Sequence, residues 1–305
     1  MLYDGEKVET RRYEGRLRAV AWDRNSSYLI AVGNAGRILK IRGEEVTPLG
    51  AVSRHGLRAI SVNPVDATML IVGNSGTVIL LDEDLRLTKL RSPSFENLRA
   101  IDWNSSGTTA LIAGNRGILM KCVDGRIDLI DDGMANLRGI SWRSSLDEAL
   151  VTSNCFAEEF IPSPNLFSYD AKRNTLQSVS EGGRSDLIGV DWKPNGESAL
   201  VVGYDVVWHN GFIGQYDGTT LSSIKFENKR VYPVAVRWDP SGTVAAIATA
   251  TAQVGAGGGQ ISLWNGKEMR RIYSSNEFFF SHLTWAPAGY KLIGVAATEA
   301  RAFDS

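Results

Sequence analysis

Four arginines stand in the same local context along the chain. Arg18, Arg58, Arg99 and Arg138 each lie in a Leu-Arg-Ala or Leu-Arg-Gly segment, four residues before Trp22, Val62, Trp103 and Trp142 respectively. A guanidinium offers five N–H donors in a rigid fork that matches carboxylate and phosphate oxygens. Four of them brought to one place would capture an anion. A second pattern tracks the first, because Asn34, Asn74, Asn115 and Asn154 lie twelve residues after those same four positions. An Arg and Asn that travel together also make a structural staple between the start of one strand and a nearby turn. Both readings are open on the sequence alone.

Other residue types with chemical potential form no constellation. His55, His209 and His282 fall in different repeats, and Cys122 and Cys155 make no metal-ligand spacing. Glu158 and Glu159 are adjacent, which would point them apart, whereas paired-carboxylate catalysis needs a controlled separation. Asp102 and Asp191 directly precede Trp103 and Trp192 and are expected to be satisfied by nearby backbone or hydroxyl groups. The run Gly257-Gly258-Gly259 lacks the following Lys and helix of a phosphate cradle and is expected to be a mobile loop. No nucleophile with a base can be named. The expectation is a non-catalytic protein with no metal and no cofactor.

The elements that position these residues come from an internal repeat. One apolar segment recurs seven times, as LRAVAW to Trp22, LRAISV to Val62, LRAIDW to Trp103, LRGISW to Trp142, LIGVDW to Trp192, PVAVRW to Trp238 and FSHLTW to Trp285. The spacings are 40, 41, 39, 50, 46 and 47 residues, the length of a four-stranded propeller blade. Each segment is followed by a turn, such as Pro194-Asn195-Gly196 or Pro240-Ser241-Gly242, and then by a run apolar on both faces, such as YLIAVG or TMLIVG. Such a strand must be covered on both sides. Helical periodicity is absent.

The predicted fold is therefore all-β, a seven-bladed propeller of four-stranded antiparallel blades occupying residues 1–305 as one domain. Blades are placed near 16–55, 56–96, 97–135, 136–185, 186–231, 232–278, and 279–305 with 1–15. The last repeat lacks a fourth strand and the first fifteen residues lack a blade, so residues 6–13 are expected to pair with 298–304 and close the ring. A chain of 305 residues with 43% hydrophobic content and a formal charge of -1 can bury a large core and has no general affinity for nucleic acid or anionic membranes. The N-terminal segment lacks the pattern of a secretory signal and no apolar run reaches membrane-span length, so a cytoplasmic location is expected.

The Trp followed by a polar turn, as in Trp192-Lys193-Pro194-Asn195-Gly196 and Trp238-Asp239-Pro240-Ser241-Gly242, resembles the WD-repeat-like propellers. The Gly-His and Trp-Asp signatures of the standard repeat are missing from every blade. The resemblance implies a ring with loops on two faces, an innermost strand a lining a channel, and work as a scaffold for partner proteins.

In such a ring the loops that lead into strand a and those joining strands b and c share one face, the top. Blades 1 to 4 place the arginines there; blades 5 to 7 have Ile188, Val234 and Ser281 at the same point. The b-to-c segments of blades 4 to 6 are longer and bring Phe156, Phe160, Tyr204 and Trp208, while Tyr232 precedes strand a of blade 6. The reading is a scaffold that binds a peptide or loop segment of another protein through Phe156, Phe160, Tyr204, Trp208, Tyr232, Arg18, Arg58, Arg99 and Arg138, as a monomeric propeller alone or in a larger complex. The alternative is a small anionic ligand or glycan binder, or a hydrolase, using the channel mouth.

Overall fold

A computed structural model of the chain describes all residues except 14, 134, 145–146, 155–163, 180–184, 225–229, 254–255 and 298–305, and only the backbone of 132, 252–253, 256–257 and 297. Seven four-stranded antiparallel sheets form a propeller. In blade 1 the strands a to d are Leu17–Trp22, Leu29–Gly33, Ile38–Arg42 and Glu45–Leu49. Strand a of the later blades is Leu57–Val62, Leu98–Trp103, Leu137–Trp142, Ser185–Trp192, Val231–Trp238 and Phe279–Trp285. Each strand a packs on the next, and that of blade 7 on that of blade 1. No helix among the described residues is long and apolar enough to cross a membrane.

The sandwiching follows from the sequence. Strand b is buried along its whole length in blades 1 to 3, at Leu29–Gly33, Met69–Gly73 and Ala110–Gly114. Its two faces enter two different cores. Ile30 and Val32 pack with Leu57, Ile60, Met69 and Ile71 of blade 2, whereas Leu29 and Ala31 pack with Ile293 and Val295 of blade 7. Strand b is thus a shared wall. Trp142 and Trp192 at the ends of their strands meet Tyr169 and Tyr216 edge to face, both at 5.9 Å between ring centres.

The ring closes at a different register from the one expected. Leu2–Tyr3 pairs with strand b of blade 7, Leu2 opposite Ile293 and Tyr3 opposite Leu292, and Val8–Glu9 then pairs back on Leu2–Tyr3. The N-terminal segment therefore supplies both the third and the fourth strand of blade 7. The residues 298–304 expected as its partner lie outside the described residues. The shift has a physical reason: Tyr3 is buried in the core formed by Phe280, Leu283, Trp285 and Leu292, an apolar site that the polar stretch 6–13 could not fill. The Met1 amine also donates to the carbonyl of Gly294 at 3.0 Å.

The glycines 257–259 are a second correction. Strands b and c of blade 6 run as one long hairpin, Ala245–Gln253 with Ala256–Trp264, and Gly258 and Gly259 sit opposite Thr251 and Ala250 within it. A side chain on Gly259 would meet the Thr249 carbonyl oxygen at 2.6 Å and the Phe279 Cα at 2.7 Å. Glycine is used there so that the start of blade 7 can press against the hairpin.

Removal of residues 1–9 bares Leu292–Ala297 as a sheet edge and strips the cover from an apolar core. The thermal midpoint is expected to fall by roughly 10 °C or more, since a domain of this size loses at least about 2 °C per kcal/mol. A calorimetric scan with an unchanged midpoint would refute this closure.

Candidate functional site

The top face is organised by a defect repeated in every blade. Strand a pairs regularly with strand b except at one point, where the register shifts between Leu17 and Ala19, Leu57 and Ala59, Leu98 and Ala100, Leu137 and Gly139, Leu187 and Gly189, Pro233 and Ala235, and Phe280 and His282. A bulge of this kind leaves one residue unpaired and re-aims its side chain. The residues so placed are Arg18, Arg58, Arg99, Arg138, Ile188, Val234 and Ser281, and all line one cavity at the channel mouth. In blades 1 to 4 the residues on either side of the arginine are buried, so the long guanidinium side chain is what that half of the rim presents to the mouth.

The four arginines are held identically. Nε of Arg18, Arg58, Arg99 and Arg138 donates to Oδ1 of Asn34, Asn74, Asn115 and Asn154, at 3.2, 2.9, 2.9 and 2.6 Å. In blades 1 to 3 that asparagine opens a tight turn whose next residue, Ala35, Ser75 or Arg116, has φ between 52 and 56°. The glycine that completes the turn is required by close approach: a side chain on Gly76 would lie 1.8 Å from the Ser94 carbonyl oxygen. Asn97 and Asn136, which precede strand a of blades 3 and 4, accept from the Ser75 and Arg116 amides of the previous blade's turn at 3.1 and 3.0 Å. The rim is knitted both within and between blades.

The staple therefore exists, and it sets up the arc rather than replacing it. With Nε spent on asparagine, the terminal nitrogens remain, and among the described residues those of Arg58 and Arg99 have no hydrogen-bond or ion-pair partner. Burial, then the charges of Arg18 and Arg138, depress the basicity of Arg58. Burial, then Arg138, Arg58 and Arg18, lowers Arg99 to about 10. For Arg138 burial is the main cause, opposed by Asp186 and Tyr204. Arg58 and Arg99 thus feel the charges of their neighbours across a poorly solvated mouth. Asp186 is the one carboxylate among the lining residues, and it accepts from the Tyr204 hydroxyl at 2.9 Å.

Below the arginines the cavity, of about 280 Å³, narrows into an apolar throat of Ile60, Ile101, Ile140, Val190, Val236 and Leu283. Beneath it lies a polar layer. Asp102 Oδ2 accepts from the Trp142 amide at 3.0 Å and Asp191 Oδ2 from the Trp238 amide at 2.6 Å, each tying one blade to the next. Arg237 is 3.4 Å from Asp191 and also donates to the Val190 carbonyl at 3.3 Å. Burial raises both carboxyls, that of Asp191 to about 6 despite Arg237. These acids hold blades together, and Asp102 lies close enough to raise Asp191 further.

His282 was not singled out by sequence reasoning, although the signal was present. The other six blades carry Ala or Gly at that point, as Ala19, Ala59, Ala100, Gly139, Gly189 and Ala235. It lies within strand a rather than in a top-face loop and lines the cavity. Its Nδ1 is buried without a partner among the described residues. Burial and then Arg237 lower it to about 3, so the imidazole is neutral.

Around the rim, Trp208 is 70% exposed, whereas Tyr232 is buried, its ring meeting that of Tyr204 at 5.2 Å. Tyr204 and Tyr232 brace the wall beside Asp186. Phe156 and Phe160, with Glu158 and Glu159, lie outside the described residues. Phe95 is 90% exposed in the connection leading into strand a of blade 3, and sequence reasoning passed over it. Among the described residues no group of three or more His, Cys, Asp and Glu could hold a metal ion. No protein-family model matches the chain, and no curated protein matches it.

The buried His282 makes a prediction for acid stability. The unfolded imidazole takes a proton near pH 6.5 and the folded one only near 3, so stability falls as pH is lowered through that interval. Asp191, raised to about 6, acts in the opposite sense, because the folded state protonates first. His282→Ala, which installs the residue of four other blades, is expected to flatten or reverse the loss of thermal midpoint between pH 6.5 and 4. A parallel loss in wild type and variant would assign the acid lability elsewhere.

Proposed function

We propose that this propeller is a non-catalytic binding module whose top face takes an acidic segment of another protein. The observation that supports this most is the set of four guanidiniums turned into one mouth whose lining, among the described residues, holds a single carboxylate. Their fixed geometry lowers the ordering cost of engaging carboxylates. Four further arginines, Arg16, Arg37, Arg54 and Arg116, lie in the top-face connections of the same blades, so the attraction extends past the mouth. Arg116 is 3.6 Å from Glu96. Phe95 and Trp208 supply exposed aromatic surface on that face, the residue class that anchors partner segments. The fold is one commonly used as an interaction scaffold.

The test is binding of an array of acidic peptides to the immobilised chain. Wild type is expected to retain a subset with affinity that falls as salt is raised from 50 to 500 mM. The pair Arg58→Gln and Arg99→Gln should weaken retention tenfold or more, and Arg99→Lys, which keeps the charge but not the fork, by less. Circular dichroism melts of each variant separate lost binding from lost folding. Equal retention by wild type and the folded double variant would remove the arginines from the interface.

A further inference from the structure

The mouth is cationic on one side only, and that asymmetry narrows the chemistry it can recognise. Arg18, Arg58, Arg99 and Arg138 occupy one arc; the opposite arc is Ile188, Val234 and the small Ser281, with Phe279 beside them, and the apolar throat lies directly below. A fully hydrated anion would satisfy the first arc and leave the second bare. A neutral apolar group would do the reverse. The surface complementary to both is a compact anionic head joined to an apolar stem.

The charge balance bears on the head. Among the described lining residues the four guanidiniums of the arc, with Arg237 deeper beside Asp191, face one carboxylate, Asp186, so a single carboxylate ligand leaves most of the repulsion in place. A phosphoryl monoester carries nearly two charges near neutrality and three terminal oxygens, enough to accept from several arginines at once. Burial first, and then the charges of the neighbouring arginines, depress the basicity of Arg58 and Arg99, and such a head would relieve the second of these. The volume, about 280 Å³, suits a small stem such as one aromatic ring and not an oligomeric ligand.

We infer that the channel mouth is a receptor site for a phosphate monoester carried on a small apolar stem. The inference rests on the reading of that mouth as an anion site and specifies its ligand. Either a phosphorylated side chain of the partner or a free small phosphomonoester presents this group.

Calorimetric titration of the full chain with phenyl phosphate tests it, against benzenesulfonate, benzoate and inorganic phosphate at matched ionic strength. Phenyl phosphate is expected to bind one per chain, at least tenfold tighter than benzenesulfonate or benzoate, which share the ring but carry one charge. It should also bind at least tenfold tighter than inorganic phosphate, which lacks the ring. Arg58→Gln with Arg99→Gln should abolish the binding in protein whose melt is intact, and Val234→Asp, on the other arc, should weaken it by a factor of ten or more. A phosphotyrosine peptide that binds tighter than phenyl phosphate supports the site with a protein as source; equal affinity supports it with a small molecule as source. Benzoate binding as tightly as phenyl phosphate overturns the monoester assignment and leaves the anion reading standing. No binding of any of the four overturns both.

Discussion

The constraint on which everything else rests is that strand b of each blade is apolar on both faces. One sheet cannot bury both of its own faces, so each blade needs a neighbour on either side, and only a closed ring gives every blade two. Ile30 and Leu29, adjacent in sequence, enter the cores shared with blade 2 and blade 7 respectively. Closure is thus a packing requirement before it is a hydrogen-bonding one. The N-terminal residues meet both needs at once, Tyr3 filling the core of blade 7 while Leu2–Tyr3 completes its ladder.

A ring of this kind brings the seven copies of strand a round one channel, and the bulge in each decides what the channel mouth displays. Because the bulged residue is out of register with strand b, its side chain is released from the alternation that would bury it or point it into a neighbouring blade. The mouth is then a sevenfold display in which identity can vary without disturbing pairing. Staple and ligand arc, which look like competing roles on the sequence, are two ends of one guanidinium. The asparagine takes the inner nitrogen, and in Arg58 and Arg99 the outer pair is left without a partner among the described residues. A hydrogen bond from a charged donor contributes about 1.5–3 kcal/mol when well made, enough to keep a long side chain from collapsing onto the wall.

Much of this was legible in the sequence because it was repeated. The anchors ending at Trp22, Trp103, Trp142, Trp192, Trp238 and Trp285 gave the blade count, and the shared offset of Arg and Asn gave their contact. Most of what escaped occurs once. Leu2 and Tyr3 are two apolar residues in a polar stretch, too few to show a strand period, and only the vacancy in blade 7 defines their place. Gly257 to Gly259 carry the composition of a loop, yet the hairpin of blade 6 continues through them, since tertiary pairing overrides local propensity. Phe95 sits in a Ser-Pro-Ser-Phe segment that reads as turn, and nothing in its neighbours tells that the ring stands exposed. The bulges left no trace, as Leu-Arg-Ala fits a regular strand equally well.

The arginines are not demanded by the fold, and the protein itself carries the comparison. Blades 5, 6 and 7 build the same bulge at the same place with Ile188, Val234 and Ser281, and with Tyr204 and Ala250 where blades 1 to 4 have asparagine. Apolar residues at this point cost no desolvation of charge and repel nobody. Collecting four partly buried guanidiniums instead costs free energy, visible in the lowered basicity of Arg99. A structural staple alone would be served as well by a neutral donor. An expense met in adjacent blades and avoided in the rest is what the proposed capture of an anion at the mouth would account for.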